Sequence, residues 1–200
     1  MRASTRTAQR TPGGTTIRRV SLPWSLCLVF GIPLALWVTP AAALAGGLDA
    51  TKADMVWNLA KFVQWPEGSM QQGKGQLVVT ILGEDEFAAT LANQLSSRTV
   101  NGKPVFVRFA QRVQDVKGSN MVYIAAPEMA HADAILEALK GTPVLTLADA
   151  PGFASRGGMV NFSSNDGRIR FEIHMGHTEQ SGLRISSRLL ALAHVIDSGR

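Results

Sequence analysis

The sequence predicts an α/β fold. It is a single three-layer domain with a mixed β-sheet flanked by helices, ending in a C-terminal β-hairpin and helix. Three observations predict it. Continuous apolar runs of strand length recur at 76–83, 120–126 and 142–149, as expected of strands covered on both faces. Segments with helical apolar spacing lie before, between and after them. Turn signals at Asn101-Gly102 and Asn165-Asp166-Gly167 mark hairpins within the same chain.

The elements follow in order. "DATKADMVWNLAKFVQWP" (49–66) places Met55, Val56, Leu59, Ala60, Phe62 and Val63 on one helical face, and Pro66 stops the helix at Trp65. "QLVVTILG" (76–83) is the first buried strand. "EDEFAATLANQL" (84–95) is a helix with acids in its first turn and Phe87, Leu91 and Leu95 on one stripe. "TVNGKPVFVRF" (99–109) turns at Asn101-Gly102 into a strand with Val105, Val107 and Phe109 on one face. "NMVYIAA" (120–126) is a strand. "PEMAHADAILEALKG" (127–141) is a helix with Pro127 near its start and Gly141 at its end. "TPVLTLAD" (142–149) is again a strand. In "GGMVNFSSNDGRIRFEIH" (157–174) Ile169, Phe171 and Ile173 alternate with Arg168, Arg170 and Glu172, a hairpin with one wet face. "LRISSRLLALAHVI" (183–196) reads as a last helix capped by Ser186 or Ser187 and running to about Ile196.

The N-terminus is of a different kind. Residues 1–45 hold five arginines (Arg2, Arg6, Arg10, Arg18, Arg19) and no acid, whereas 46–200 balances 15 basic against 15 acidic residues. The net charge of +5 therefore comes from the N-terminal segment, and nucleic-acid binding by the body is not expected. Arg18-Arg19, the apolar run 22–38 and the small residues 39–45 have the layout of a secretory signal peptide, with cleavage near Ala43 or Ala45. A twin-arginine route and an uncleaved anchor are the alternatives; Pro23, Pro33 and Pro40 interrupt the apolar run and speak against the anchor. The only cysteine, Cys27, lies in that run. Residues 46–200 then form one domain without disulfide, thiolate metal site or Cys nucleophile, and with no stable membrane insertion after cleavage.

The chemistry-bearing residues point away from catalysis. His174 and His177 form an H-x-x-H pair with no acidic third ligand nearby in sequence, and read as solvated residues at a strand end. His194 sits near the end of the last predicted helix, where the macrodipole favours it. There is no G-x-S-x-G and no phosphate-binding glycine loop. Glu84, Asp85 and Glu86 diverge on a helix and read as a solvated first turn. Gly83–Phe87 come close to the Gly-Gly-Asp/Glu-Glu-Phe signature of diguanylate cyclases, but Glu84 stands where the second glycine is required. No cofactor, metal or catalytic residue is expected. Asn161-Phe162-Ser163 is a glycosylation sequon by letters, inside a predicted strand. Asn58, Phe62, Trp65 and Pro66 form an aromatic and polar set at the end of the first helix, a core or a contact cluster.

"WNLAKFVQWP", "VVTILGEDEFAATL", "TVNGKPVFVRF", "VLTLADAPGFASRGGMVNF", "GRIRFEIH" and "GLRISSRLLALAHVI" together resemble the YfiR-like family of periplasmic regulatory proteins, over nearly all of 50–196. The resemblance implies a secreted, non-enzymatic periplasmic domain. It implies a partner: the periplasmic portion of an inner-membrane diguanylate cyclase or histidine kinase, which the domain represses or modulates, and so a link to cyclic-di-GMP. A homodimer is a further possible assembly. Disulfide tuning, found in the founding member, does not carry over to a chain whose domain has no cysteine. The candidate partner-binding residues are Phe62, Trp65 and Pro66 at the end of the first helix and Arg184, Ser186 and Arg188 at the start of the last. Two other classes stay open: a periplasmic small-molecule-binding sensor module with a pocket near the strand ends, and a hydrolase of unrecognised type.

Overall fold

A computed structural model of the chain describes residues 41–69, 75–165 and 168–196, with the backbone alone for 41–46 and Asn165. The predicted signal-peptide core 22–38 and the turn residues Asp166-Gly167 lie outside the described residues.

Helix α1 (Ala41–Phe62) is followed directly by the short strand β1 (Val63–Gln64). Next come β2 (Leu77–Leu82), α2 (Glu86–Leu95), β3 (Thr99–Val100) and β4 (Lys103–Ala110). A 3₁₀ turn (Val113–Val116) leads to β5 (Met121–Ile124), and a second (Ala126–His131) leads to α3 (Ala132–Leu139). Then follow β6 (Leu145–Ala148), β7 (Val160–Asn165) and β8 (Arg168–His174). The chain continues through α4 (Met175–Gln180), β9 (Arg184–Ile185), α5 (Ser187–Leu190) and β10 (His194–Ile196).

Eight strands form one mixed sheet in the order β10-β8-β7-β6-β5-β2-β4-β3, while β1 and β9 make a separate two-stranded ribbon. Within the sheet, β4-β2-β5-β6-β7 are all parallel. This is the doubly wound order 2-1-3-4-5, in which strand addition reverses direction between β2 and β5. Right-handed crossovers then put α2 and α3 on opposite faces. The two cores show this. Val79, Ile81, Met121, Tyr123 and Leu147 pack with α1 and α2, whereas Val122, Ile124 and Ala148 pack with Ile135 and Leu139 of α3. Helix, sheet and helix are the three layers the sequence predicts.

The all-buried strands β2, β5 and β6 are the apolar runs read from the sequence. The β3–β4 hairpin turns on Asn101 and Gly102, both at positive φ (51° and 78°), the geometry for which Asn-Gly is selected. The "GFASRGGMVNF" stretch has a steric reason. Phe153 is fully buried, and a Cβ on Gly158 would fall 2.2 Å from its Cε1, so only glycine fits there.

Four local readings are corrected. The first helix ends at Phe62, before Pro66, because Val63 and Gln64 pair antiparallel with Ile185 and Arg184. The last helix is one turn long. His194, Val195 and Ile196 instead run parallel to Glu172, Ile173 and His174, so His194 is a strand residue and not a helix C-terminus. The segment after β5 begins as a 3₁₀ turn and becomes α-helical only at Ala132. His174 is buried rather than solvated, and its Nδ1 accepts the His177 N–H at 3.3 Å.

Candidate docking surface

The six residues predicted to contact a partner come from two distant segments, and the β1–β9 ribbon brings them together. Val63 faces Ile185 and Gln64 faces Arg184. The Ser186 N–H donates to the Phe62 carbonyl at 2.9 Å. A Cβ on Gly182 would stand 3.3 Å from Pro66 Cγ, so the two segments stay in contact past the ribbon.

Within this cluster the roles differ. Trp65 is half-buried, and its indole Nε1–H donates to the Asn120 carbonyl at 3.1 Å. That bond, between the end of the ribbon and the start of β5, makes Trp65 chiefly a packing residue. Ser186 is the N-cap of α5: its Oγ accepts the Arg188 N–H at 3.3 Å. Pro66, Arg184 and Arg188 are exposed. They present an apolar ring and two guanidinium groups to the outside.

Phe62 belongs to a second feature that the sequence did not reveal. It lines a groove of about 720 Å³ between α1 and the α5–β10 segment. Met55 and Leu59 of α1, Phe162 and Phe171 of the β7–β8 hairpin and Leu192 complete its apolar wall. Leu192 is 77% exposed, the most exposed of the large apolar side chains described. No signal in the sequence marks it: "LLALAHVI" has helical spacing, and only the structure shortens that helix to one turn and exposes Leu192.

The opposite situation holds at the carboxyl ends of β2 and β5. That switch point is where open α/β sheets keep their ligands, and where a pocket near the strand ends would be sought. Here the chain fills it. Asp85 Oδ1 accepts the Ala88 N–H at 2.6 Å, capping α2, and Oδ2 accepts from Tyr123 Oη at 3.0 Å and from the Ala126 N–H at 2.9 Å. A Cβ on Gly83 would fall 2.7 Å from Glu128 Cγ. Asp85 is thus a half-buried crosslink, not part of a solvated first turn. Burial, together with the charge and hydrogen bond of Asp85, pushes the Tyr123 phenol well above its ordinary range, and Asp149 and Asp49 add to the effect.

Beside it, buried Lys52 donates to Asp49 at 3.1 Å and pairs with Asp149. Burial works to lower the Lys52 pKa, but the bonds to the two carboxylates outweigh it and the net direction is up. The pair fastens α1 to the loop after β6. Asn161 of the sequon is buried, accepting from the Ala150 N–H and donating to Glu172. Among the described residues, no three His, Cys, Asp or Glu side chains are placed to hold a metal ion, and no helix is long and apolar enough to cross a membrane.

Two solved structures align with the chain. The ABC domain of a Streptococcus pneumoniae protein, solved with L-Trp, aligns with 72% of this chain and 60% of its own at 9% identity and a TM-score of 0.53. A conserved domain protein from Vibrio cholerae O1 biovar El Tor aligns with 74% of this chain and 59% of its own at 12% identity and a TM-score of 0.47. The chain therefore spans about three fifths of each, and the Streptococcus likeness is one of fold alone. No curated protein matches the chain. A family model described as YfiR/HmsC-like matches residues 49–194, which takes in the ribbon, the groove and every strand of the sheet but the last two residues of β10. The chain belongs to the YfiR/HmsC-like family, a family of periplasmic regulatory proteins.

Proposed function

We propose that this chain is a secreted periplasmic regulator, freed of its signal peptide near Ala43 or Ala45. It docks on the periplasmic part of an inner-membrane diguanylate cyclase or histidine kinase and holds that protein in its inactive arrangement. The observation that carries this reading is the convergence of Phe62, Pro66, Arg184 and Arg188 beside a large apolar groove, on a domain of this family. An apolar centre with an arginine rim is the usual anatomy of a protein contact. The domain acts as a binder and not as an enzyme. It shifts its partner only by its difference in affinity for the two states, typically about 1–3 kcal/mol.

The test is binding of the purified protein to the ectodomain of a membrane cyclase or kinase encoded beside it, followed by titration calorimetry. Saturable binding that Leu192→Asp abolishes supports the reading. No binding to any such ectodomain removes it.

The groove also favours a second reading, a small-molecule sensor module. Its volume of about 720 Å³ falls in the range of small-molecule sites, roughly 300–1,000 Å³. A metabolite that raises the melting temperature of the native chain, but not of the Leu192→Asp variant, would identify such a ligand.

A further inference from the structure

The side of the sheet that carries α3 holds a second cleft, of about 280 Å³, which shares no lining residue with the docking groove. It lies between α3, the loop from β6 to β7 and α4. Its floor is made of buried residues: Thr146, Met159, Leu139 and Ser181. Its rim carries Asp133, Glu137, Lys140, Arg156 and the second histidine of the H-x-x-H pair, His177. A Cβ on Gly157, at φ 105°, would stand 3.8 Å from His177 Cε1 and 4.0 Å from Leu136 Cδ1, so glycine keeps the space between them open.

Two hydroxyls in this floor have protons to give. Ser181 is 5% exposed, and its amide is fixed by the His177 and Thr178 carbonyls, each at 3.2 Å. Its hydroxyl has no hydrogen-bond partner among the described residues. Thr146 is 1% exposed, and its Oγ1 accepts the Met159 N–H at 3.1 Å. An accepting hydroxyl still has a proton to donate, and no described group takes it. Polar groups this buried are ordinarily matched, so the cleft calls for a ligand with acceptors at its floor. The rim is different, because its charges are already paired. Arg156 Nε donates to Asp133 at 2.8 Å and Nη1 to the Met129 carbonyl at 3.1 Å, while Lys140 donates to Glu137 at 3.3 Å.

We propose that this cleft binds a neutral, polyhydroxylated molecule of the size of one sugar ring. A charged ligand would have to pull apart an ion pair on the rim, and the four charges there sum to zero. A polyol need not. Its oxygens accept from the Thr146 and Ser181 hydroxyls, and its own hydroxyls bond to the outer atoms of the rim pairs and to the Gln180 amide. Leu136, Leu139 and Met159 supply the apolar wall that the C–H face of such a ring needs. The volume, just below the roughly 300 Å³ at which drug-sized sites begin, suits a ligand this small. The site is independent of docking and of the groove.

Saturation-transfer NMR and thermal melts test this with D-glucose, D-galactose and D-ribose as probes, and inorganic phosphate and L-glutamate as charged controls. At least one sugar should bind saturably, raise the melting temperature and bind more tightly than either control. Ser181→Ala, which removes a single oxygen and leaves the fold intact, should weaken that binding about fivefold. Leu136→Trp, which fills the cleft from its wall, should abolish it. Leu192→Asp, in the other groove, should leave it unchanged. A cleft that holds only water would show no saturable binding of any of the three sugars, and that result overturns the proposal. So does tighter binding of phosphate or L-glutamate, or sugar binding that Ser181→Ala leaves intact.

Discussion

The amide of Ser186 donates to the carbonyl of Phe62 at 2.9 Å, joining the end of the first helix to the segment before the last one. Ser186 also caps α5 with its hydroxyl, at backbone angles (φ −62°, ψ 139°) that proline can adopt. The two contributions are therefore separable. Ser186→Ala should cost about 1 kcal/mol through the cap. Ser186→Pro should cost about 2 kcal/mol, because the N–H is lost as well. Urea denaturation at constant m-value measures both.

Tyr123 is the only tyrosine, so the ultraviolet band of phenolate reports it alone. Its folded pKa is raised by burial and by Asp85, above an unfolded value of 10.0. A raised pKa contributes stability that is fully present below pH 10 and is lost as pH climbs toward the folded value. Lys52, whose net shift from 10.5 is also upward, has the same sign. We expect phenolate to appear only as the protein unfolds, in one transition at alkaline pH. Tyr123→Phe should cost about 1 kcal/mol at neutral pH and make the alkaline fall shallower.

Gly158→Ala should be among the most damaging single-methyl additions in the chain. The new Cβ would lie 2.2 Å from a ring that is itself fully buried. Overpacking of this kind costs about 1–3 kcal/mol and more where nothing can yield. Gly102→Ala, whose Cβ would meet open space, should pay only for its positive φ, about 1 kcal/mol. Thermal melts of the two variants should rank in that order.

Trp65 and the two arginines should separate folding from docking. Trp65→Phe loses the bond to the Asn120 carbonyl and part of the ring's packing against the core, so it should lower stability by about 1–2 kcal/mol and leave partner binding unchanged. Arg184→Glu with Arg188→Glu, both exposed, should leave the melting temperature within a degree or so and weaken binding by about tenfold or more. Calorimetric titration with the partner ectodomain, beside thermal melts, makes the distinction.

What could be read in the sequence, and what could not, follows from how far each signal reaches along the chain. The runs at 77–82, 121–124 and 145–148 are legible because a strand buried on both faces must be apolar throughout. The Asn101-Gly102 hairpin is legible because its backbone angles exclude most other pairs. The ribbon is not: Val63 and Gln64 extend a perfectly helical pattern, and only pairing with Arg184 and Ile185 pulls them out of it. "LLALAHVI" has helical spacing too, but the open edge of β8 offers His194–Ile196 a ladder of hydrogen bonds that a short helix cannot match. Both failures are tertiary contacts overriding local period. Asp85 was within reach, since an aspartate just before an apolar stripe is a standard N-cap. Its bonds to Tyr123 and Ala126 were not, because they depend on the β5 end lying beside it.

The ribbon also has a consequence for assembly. Val63 and Gln64 are made early and Arg184 and Ile185 late, so this clasp closes a loop that spans most of the domain. A chain made from its N-terminus holds α1 without its final fastening until the last strand residues arrive. Until then the apolar wall of the groove, built from both segments, has no second side. The surface proposed for docking thus exists only on a finished molecule, and an incomplete or clipped chain lacks it.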